Sequence, residues 1–418
     1  MGAPQTKVPP TMRVLMVSPH FPAEQEQFSR ALKETGAELY AIADVPEQQL
    51  PGHVRGYLSG YMHVPSLFEE QAIVDAAAAW LRGREPERIE CLWEPFVLLA
   101  ARLRERFGVP GMSYEVIRAF RDKDLMKKKV RAAGLRVPKS ERARTVNEIW
   151  AAIERIGYPV IVKPIAGAGS ADTYRLDSKG ETEAILPRIA HVEEVNVEEF
   201  ITGDEFTFDA VSINGKAAFH SVSQYHPCPL DARSHEWISP GQITFRDPDR
   251  EARIAPGVKL GHDILRAMEM GTGFTHMEWF LTPAGEAVFS EIGVRNGGGH
   301  LVDMMNYSND FDVFRGWAQA VMRGRFEEPI QRKYHVGMTF KRAEGQGYIR
   351  HIEGMDRVRA RLGAALVWDN LLPVGAHRRD WTKTLLSDGF LCFRHESYSE
   401  VRAMLEFAVN NVRMYASP

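Results

Sequence analysis

Asn214 and Gly215 separate two runs rich in apolar residues, Glu205 to Ile213 and Lys216 to Ser223. Both residues tolerate the positive φ that a two-residue hairpin turn requires, so the middle of this chain is committed to antiparallel sheet. A second hairpin is expected where Thr-Pro-Ala-Gly joins Thr275 to Leu281 with Glu286 to Ile292. The beginning of the chain reads differently. Met12 to Ser18, Ala37 to Ala43 and Ile89 to Trp93 have the pattern of buried strands. Helical patterns alternate with them, one stopping near Gly36 and others covering Val74 to Leu81 and Phe96 to Phe107. Such alternation predicts a parallel α/β sheet, and the expected fold class is α/β joined to α+β.

At 418 residues the chain is longer than one hydrophobic core usually serves. Four regions are expected. An N-terminal Rossmann-like α/β domain covers 12–115, and the region 116–195 holds helices from Asp122 to Ala133 and from Val146 to Ile156. The region 196–330 is strand-rich and contains both hairpins. A small C-terminal α+β domain covers 331–418 and closes with an amphipathic helix from Tyr398 to about Met414.

A formal net charge of −3 gives no electrostatic pull toward nucleic acid. Cys91, Cys228 and Cys392 are too few and too scattered for a disulfide framework or a zinc site, which fits a reducing, cytoplasmic setting. No run approaches the roughly 18 apolar residues of a membrane span. Small molecules are the expected partners.

Four segments carry chemistry. In YPVIVKPIAGAGSADT, Tyr158 to Thr173, Lys163 ends an apolar strand and precedes the loop Gly167-Ala168-Gly169-Ser170. The uncovered N–H groups of such a loop can close over phosphate oxygens, although a plain strand connection with an exposed lysine weighs equally on this segment alone. From Glu198 to Glu205, the backbone of Glu199 to Ile201 can pair with a purine edge and Glu205 can accept from a ribose. Solvated acids around a turn are the plainer alternative. Glu278 and Glu291 stand one on each strand of the second hairpin; if they pair, two carboxylates share one space, which is costly without a cation. Hard oxygen ligands suit magnesium, which takes one or two carboxylates plus substrate phosphates. The apolar neighbours in HMEWF and VFSEIG tell against a solvated pair. Arg295 follows, then Asn296 and Gly297-Gly298-Gly299. An arginine there can neutralise charge developing on oxygen, and consecutive glycines imply close approach of the backbone.

In this order the four segments resemble the ATP-grasp superfamily of ATP-dependent carboxylate ligases, most of all its amino-acid ligase and biotin-carboxylase-like branches, from about Met12 to the C-terminus. The resemblance implies an ATP-grasp fold with a pre-ATP-grasp domain at 12–115, a small or lid subdomain in 116–195 and a large subdomain in 196–330. It implies that Lys123, in RDKDLM, and Lys163 contact phosphate, with Gly167, Ala168, Gly169 and Ser170 as a phosphate lid. Adenine is implied on the backbone of Glu199, Phe200 and Ile201, with Glu198 beside its amino group and Glu205 on the ribose. Glu278 and Glu291 match magnesium ligands, with manganese as an alternative ion. Arg295 matches the catalytic arginine that steadies an acyl-phosphate and the tetrahedral intermediate. Two positions depart from the pattern: Gly293 stands where many members carry a metal-ligating asparagine, and Gln224 near where several carry a basic residue.

The implied reaction joins a carboxylate, an amino acid or related acid, to an amine and releases ADP and phosphate. Competing readings are a carboxylase-type or nucleotide-pathway reaction, and a regulator that grips ATP without turnover. A homodimer is the expected assembly. His226, His235 and Glu236 are candidate substrate contacts, with a satisfied structural histidine as the competing reading, which also applies to His220. Trp237 is expected to be packed, and Lys127-Lys128-Lys129 to coat the outer face of its helix.

Overall fold

The computed structural model describes residues 11–165, 173–384 and 386–418. Strands β1 (Met12–Val17), β2 (Ala37–Ala43), β3 (Leu58–His63) and β4 (Arg88–Glu90) form a parallel sheet in the order β3-β2-β1-β4. Leu15 and Val17 enter one core while Val14 and Met16 enter another, as a strand covered on both faces must.

A small antiparallel sheet follows, built from β5 (Ser140–Ala143), β6 (Val160–Pro164), β7 (Tyr174–Leu176) and β8 (Val195–Glu199) in the order β5-β8-β6-β7. The helix Val146–Ile156 packs on it, opened by a capping box between Thr145 and Glu148. Its Ile149, Ala152 and Ile153 close a separate core with Val160, Val162 and Val197. Because β8 pairs with both β5 and β6, a division at 195/196 would cut through this sheet; the chain leaves it only after Glu199.

Strands β9 (Asp204–Ile213), β10 (Lys216–His226), β11 (Gly241–Thr244), β12 (Gly273–Leu281), β13 (Ala287–Gly293) and β14 (His335–Phe340) lie in an eight-stranded sheet. After β15 (Glu344–Gly345) and β16 (Tyr348–Glu353), which stand apart, β17 (Leu366–Leu371) and β18 (Gly389–His395) return to it. Its order is β13-β12-β9-β10-β11-β14-β18-β17, and β19 (Arg413–Ser417) joins β15 and β16 in a three-stranded sheet. Asn214 and Gly215 turn between β9 and β10 with φ of 49° and 82°.

The residues after 331 are therefore no separate layer. Every residue of β14 is buried, and β14 pairs with β11 on one side and β18 on the other, so the strand pattern seen in sequence has its partners far upstream. The last helix ends at Asn411, and Met414 is buried on a strand rather than on the helix. Among the described residues, no helix is long and apolar enough to cross a membrane.

Candidate active site

The Asp122 carboxylate caps the helix Lys123–Ala132, accepting from the N–H groups of Asp124 and Leu125 at 3.0 Å each. Lys123 thereby becomes the first helical residue, and its Nζ lies 2.8 Å from Glu291 Oε2. A cavity of about 370 Å³ sits between the small and large sheets. It is lined by Lys123, by Lys163 on β6, by Glu198 and Glu199 on β8, and by Phe200 and Ile201 just beyond. The large sheet contributes Glu205 on β9, Glu278 on β12 and Glu291 on β13. Gly167, Ala168, Gly169 and Ser170 lie outside the described residues. Where the chain crosses from β8 to β9, a Cβ on Gly203 would stand 2.4 Å from the Leu281 carbonyl oxygen, so only glycine fits.

Glu278 and Glu291 face each other in register across the hairpin, and a bulge follows at once, because Trp279 pairs with Phe289 and leaves Ser290 as the extra residue. Burial alone would raise Glu291, but Lys123, Lys163 and Arg295 hold it down at about 2. Glu205 behaves oppositely: burial, then the charges of Glu278 and Glu291, push it well above the ordinary carboxylate range. Three acids sharing one buried space, one of them forced toward its neutral form, are a donor set that a divalent cation would relieve. Among the described residues, no group of three or more His, Cys, Asp or Glu side chains is arranged to hold a metal alone. The Glu278 and Glu291 pair thus fits an ion that takes its remaining oxygens from phosphate and water.

His276, on the same face of β12 as Glu278, was not singled out from sequence. Its Nδ1 lies 2.7 Å from Asp209 Oδ1 and its Nε2 lies 3.6 Å from Glu278 Oε1. Burial opposes the charge on His276, yet Asp209 outweighs it and lifts the imidazole to about 9. The Tyr225 hydroxyl donates to Glu278 Oε1 at 3.2 Å. The spacing of His276 and Glu278 by two on a strand was the available signal. A Cβ on Gly297 would meet His276 Nδ1 at 2.9 Å and Asp209 Oδ1 at 3.1 Å, which accounts for one of the three consecutive glycines.

Arg295 does not line the cavity but acts on it, since Glu278 and Glu291 help to hold its charge. Its Nε donates to Glu94 Oε2 at 2.6 Å and its Nη1 to the Asn296 carbonyl at 2.8 Å. Glu94, also paired with Arg121, sits just after β4 in the N-terminal domain. Sequence reasoning passed over Glu94, although the carboxyl ends of parallel strands are where such sheets place their sites. A Cβ at Gly293 would touch Arg295 Cγ at 3.4 Å, so the position where an asparagine was the expected ligand adjoins this arginine.

Several expectations need correction. Lys127 does not coat an outer face: it is 2% exposed and paired with Glu198, because it lies one helical turn after Lys123 on the same inward side. Glu198 lines the cavity with one carboxylate oxygen engaged from within the protein. Its Oε2 already accepts from Lys127, from Lys163 at 3.1 Å and from Asn196 Nδ2 at 2.8 Å. Lys127 and Lys163 outweigh the effect of burial and bring Glu198 to about 2. The Glu199 N–H donates to the Lys139 carbonyl at 2.8 Å and the Phe200 N–H to the Pro159 carbonyl at 3.2 Å, so two of the N–H groups expected for a purine edge are engaged. The Glu199 carboxylate is held by Arg136 at 2.9 Å, and Arg175 lies over the Phe200 ring, 4.1 Å from its centroid.

Cys228 to Asp231 border the cavity, but His226, His235 and Glu236 do not. Burial, then Arg402, lowers His226 to about 4. His235 packs against Trp237 with ring centroids 4.5 Å apart, and Glu236 pairs with Arg378 at 3.0 Å. Trp237, expected to be packed, is 79% exposed. His220 contacts Asp249 at 3.1 Å and stacks on Phe208, as a structural residue would. Gln224 is buried and accepts from the Tyr398 hydroxyl at 2.9 Å, which spends the side chain away from the cavity.

Residues 120–227 match the ATP-grasp domain family. The chain is 28% identical over 219 residues to an L-arginine-specific L-amino acid ligase of Bacillus subtilis, covering 51% of this chain and 52% of the relative. It is 28% identical over 191 residues to the N-terminal section of the carbamoyl phosphate synthase large chain of Aquifex aeolicus, covering 43% of this chain and 33% of that protein. The chain thus spans about half of the first relative's length and a third of the second's. The crystal structure of an L-amino acid ligase from Bacillus licheniformis superposes with a TM-score of 0.78 at 20% identity, over 97% of this chain and 99% of that one. An ATP-grasp domain thus matches residues 120–227, and the fold of the solved ligase extends along nearly the whole length of the chain.

Proposed function

We propose that the chain is an ADP-forming ligase that joins a small carboxylic acid, an amino acid or a related acid, to an amine. The observation that carries this reading is the convergence of Lys123, Lys163, Glu278 and Glu291 on one cavity beside Arg295. Lys123 and Lys163 would hold the phosphates of ATP, and the connector from Phe200 to Gly203 with Glu205 would hold the nucleoside. Magnesium, when bound at Glu278 and Glu291, would neutralise charge on phosphate oxygens.

The residues of this chain position and neutralise; none acts as nucleophile. The substrate carboxylate oxygen attacks the γ-phosphorus, an O–P bond forms, the bond to the ADP oxygen breaks, and an acyl-phosphate results. The amine nitrogen then attacks the acyl carbon, the C–N bond forms, the C–O bond to phosphate breaks, and the amine proton passes to solvent. Arg295, anchored by Glu94, would supply the positive charge that steadies the acyl oxygen in the second step. Tyr225 would orient Glu278 through its hydrogen bond, with the charge of His276 3.6 Å from the same oxygen.

A screen of carboxylates against amines, scored by phosphate release and by the nucleotide formed, tests this reading. ADP and phosphate released only when both an acid and an amine are present is the expected result. AMP in place of ADP, or turnover that needs bicarbonate and no amine, overturns it.

A further inference from the structure

Three donors meet at one oxygen, Glu198 Oε2: Lys163 Nζ at 3.1 Å, Asn196 Nδ2 at 2.8 Å, and Lys127 Nζ in a closer ion pair. Of the two lysines, Lys163 lines the cavity, while Lys127 reaches Glu198 from inside the protein and is 2% exposed. One buried carboxylate needs one cation. A second buried ammonium carries its own desolvation cost, which Coulomb attraction to a shared partner does not fully return. Lys127 shows that cost: burial, opposed by Glu198 and reinforced by Lys163 and Lys123, brings it to about 8.

The arrangement becomes intelligible once Lys163 has another task. If Lys163 were the sole counter-ion of Glu198, turning its ammonium to a phosphate would abandon a buried carboxylate, and an uncompensated buried charge is strongly unfavourable. With Lys127 and Asn196 in place, Glu198 stays satisfied whichever way Lys163 points. We propose that Lys127 is a positioning residue for the nucleotide, the standing counter-ion of Glu198 that releases the Lys163 ammonium to the phosphates. The inference rests on the reading of the cavity as an ATP site. It assigns a function to a buried lysine that does not line the cavity.

Equilibrium binding of ATP with magnesium, measured by calorimetry and with a fluorescent ATP analogue, tests it, and circular dichroism melting checks each variant for folding. Wild-type protein that binds no ATP overturns the reading of the cavity and this inference with it. Given wild-type binding, Lys127→Met is expected to bind ATP at least about tenfold more weakly, since Lys163 must stay with Glu198. Undiminished affinity in folded Lys127→Met overturns the inference alone. The decisive arm is the double variant Lys127→Met/Glu198→Gln, in which the neutral carboxamide needs no cation. Recovery of most of the lost affinity supports the proposal, whereas a double variant no better than Lys127→Met marks Lys127 as merely structural and overturns it. Should Lys127→Met not fold, Lys127→Arg and the double variant decide: affinities within about threefold of wild type support the proposal, and losses beyond about tenfold in both overturn it.

Discussion

Ile149, Ile153, Val160, Val162 and Val197 close a core drawn, among the described residues, wholly from positions 143–197. The N-terminal domain does the reverse. Phe28, on the helix after β1, meets Phe274 of β12 and Phe314 and Trp317 of a later helix, with ring centroids 6.2, 4.8 and 5.0 Å away. One region completes itself, and the other is welded to the large sheet by aromatic packing. The small sheet meets the preceding helix and linker through ion pairs, Lys127 to Glu198 and Arg136 to Glu199. Apolar welds resist any change of distance, because close-packed side chains tolerate little rearrangement. Ion pairs and two chain connections, before β5 and after β8, leave a region free to respond to what binds beneath it. The same chain thus builds a rigid floor and a separately folded cover.

Four outcomes break or sharpen this contrast. The largest effect is expected for Phe28→Ala, which empties the weld: about 3–5 kcal/mol of global stability lost in urea unfolding, with the N-terminal domain and large sheet melting together. Separate transitions for those two regions would show that the floor is not one unit. Next is Glu94→Gln. It removes the carboxylate that anchors Arg295 from across the weld, and a kcat lower by about tenfold to a hundredfold is expected, with ATP affinity unchanged. An equal loss of ATP affinity would place Glu94 with the nucleotide instead.

The third outcome concerns pH. Glu198 sits at about 2 when folded against an ordinary 4.5, so its contribution is fully present above 4.5 and is lost as pH falls toward 2. Glu205 is raised above 4.5, so its contribution declines as pH rises past that value. Melting curves of metal-free protein should show a shallower acid limb for Glu198→Gln and a higher melting temperature at pH 7 for Glu205→Gln. No gain for Glu205→Gln would mean that the cavity acids do not strain one another. The smallest effect is expected for Ile153→Val, about 1 kcal/mol, seen as faster hydrogen exchange within 140–199 and unchanged exchange elsewhere. Faster exchange throughout would dissolve the distinction between cover and floor.

Much of the cavity was legible because its chemistry is local. Lys163 ends its own strand, and Glu278 and Glu291 face each other because a short turn fixes their register. What escaped depends on contacts between distant segments. Lys127 opens a run of three lysines, and only its spacing of one helical turn from Lys123 distinguishes the one that meets Glu198. Glu94 is linked to Arg295 only through the docking of the N-terminal domain. The segments after 331 read as short strands and glycines, and such a pattern alone does not name β11 as the partner of β14. Trp237 misled because large aromatic side chains are usually interior, whereas this one lies out in solvent.

At Gly203 the backbone of the connector meets the backbone at the end of β12 with no room for a methyl group. Main chain rests there on main chain, and the gauge of the cleft is set by atoms that no side-chain substitution replaces. Exchange of the residues that line the walls can therefore alter which molecules are preferred while the main-chain contact at this end of the cleft stays constant.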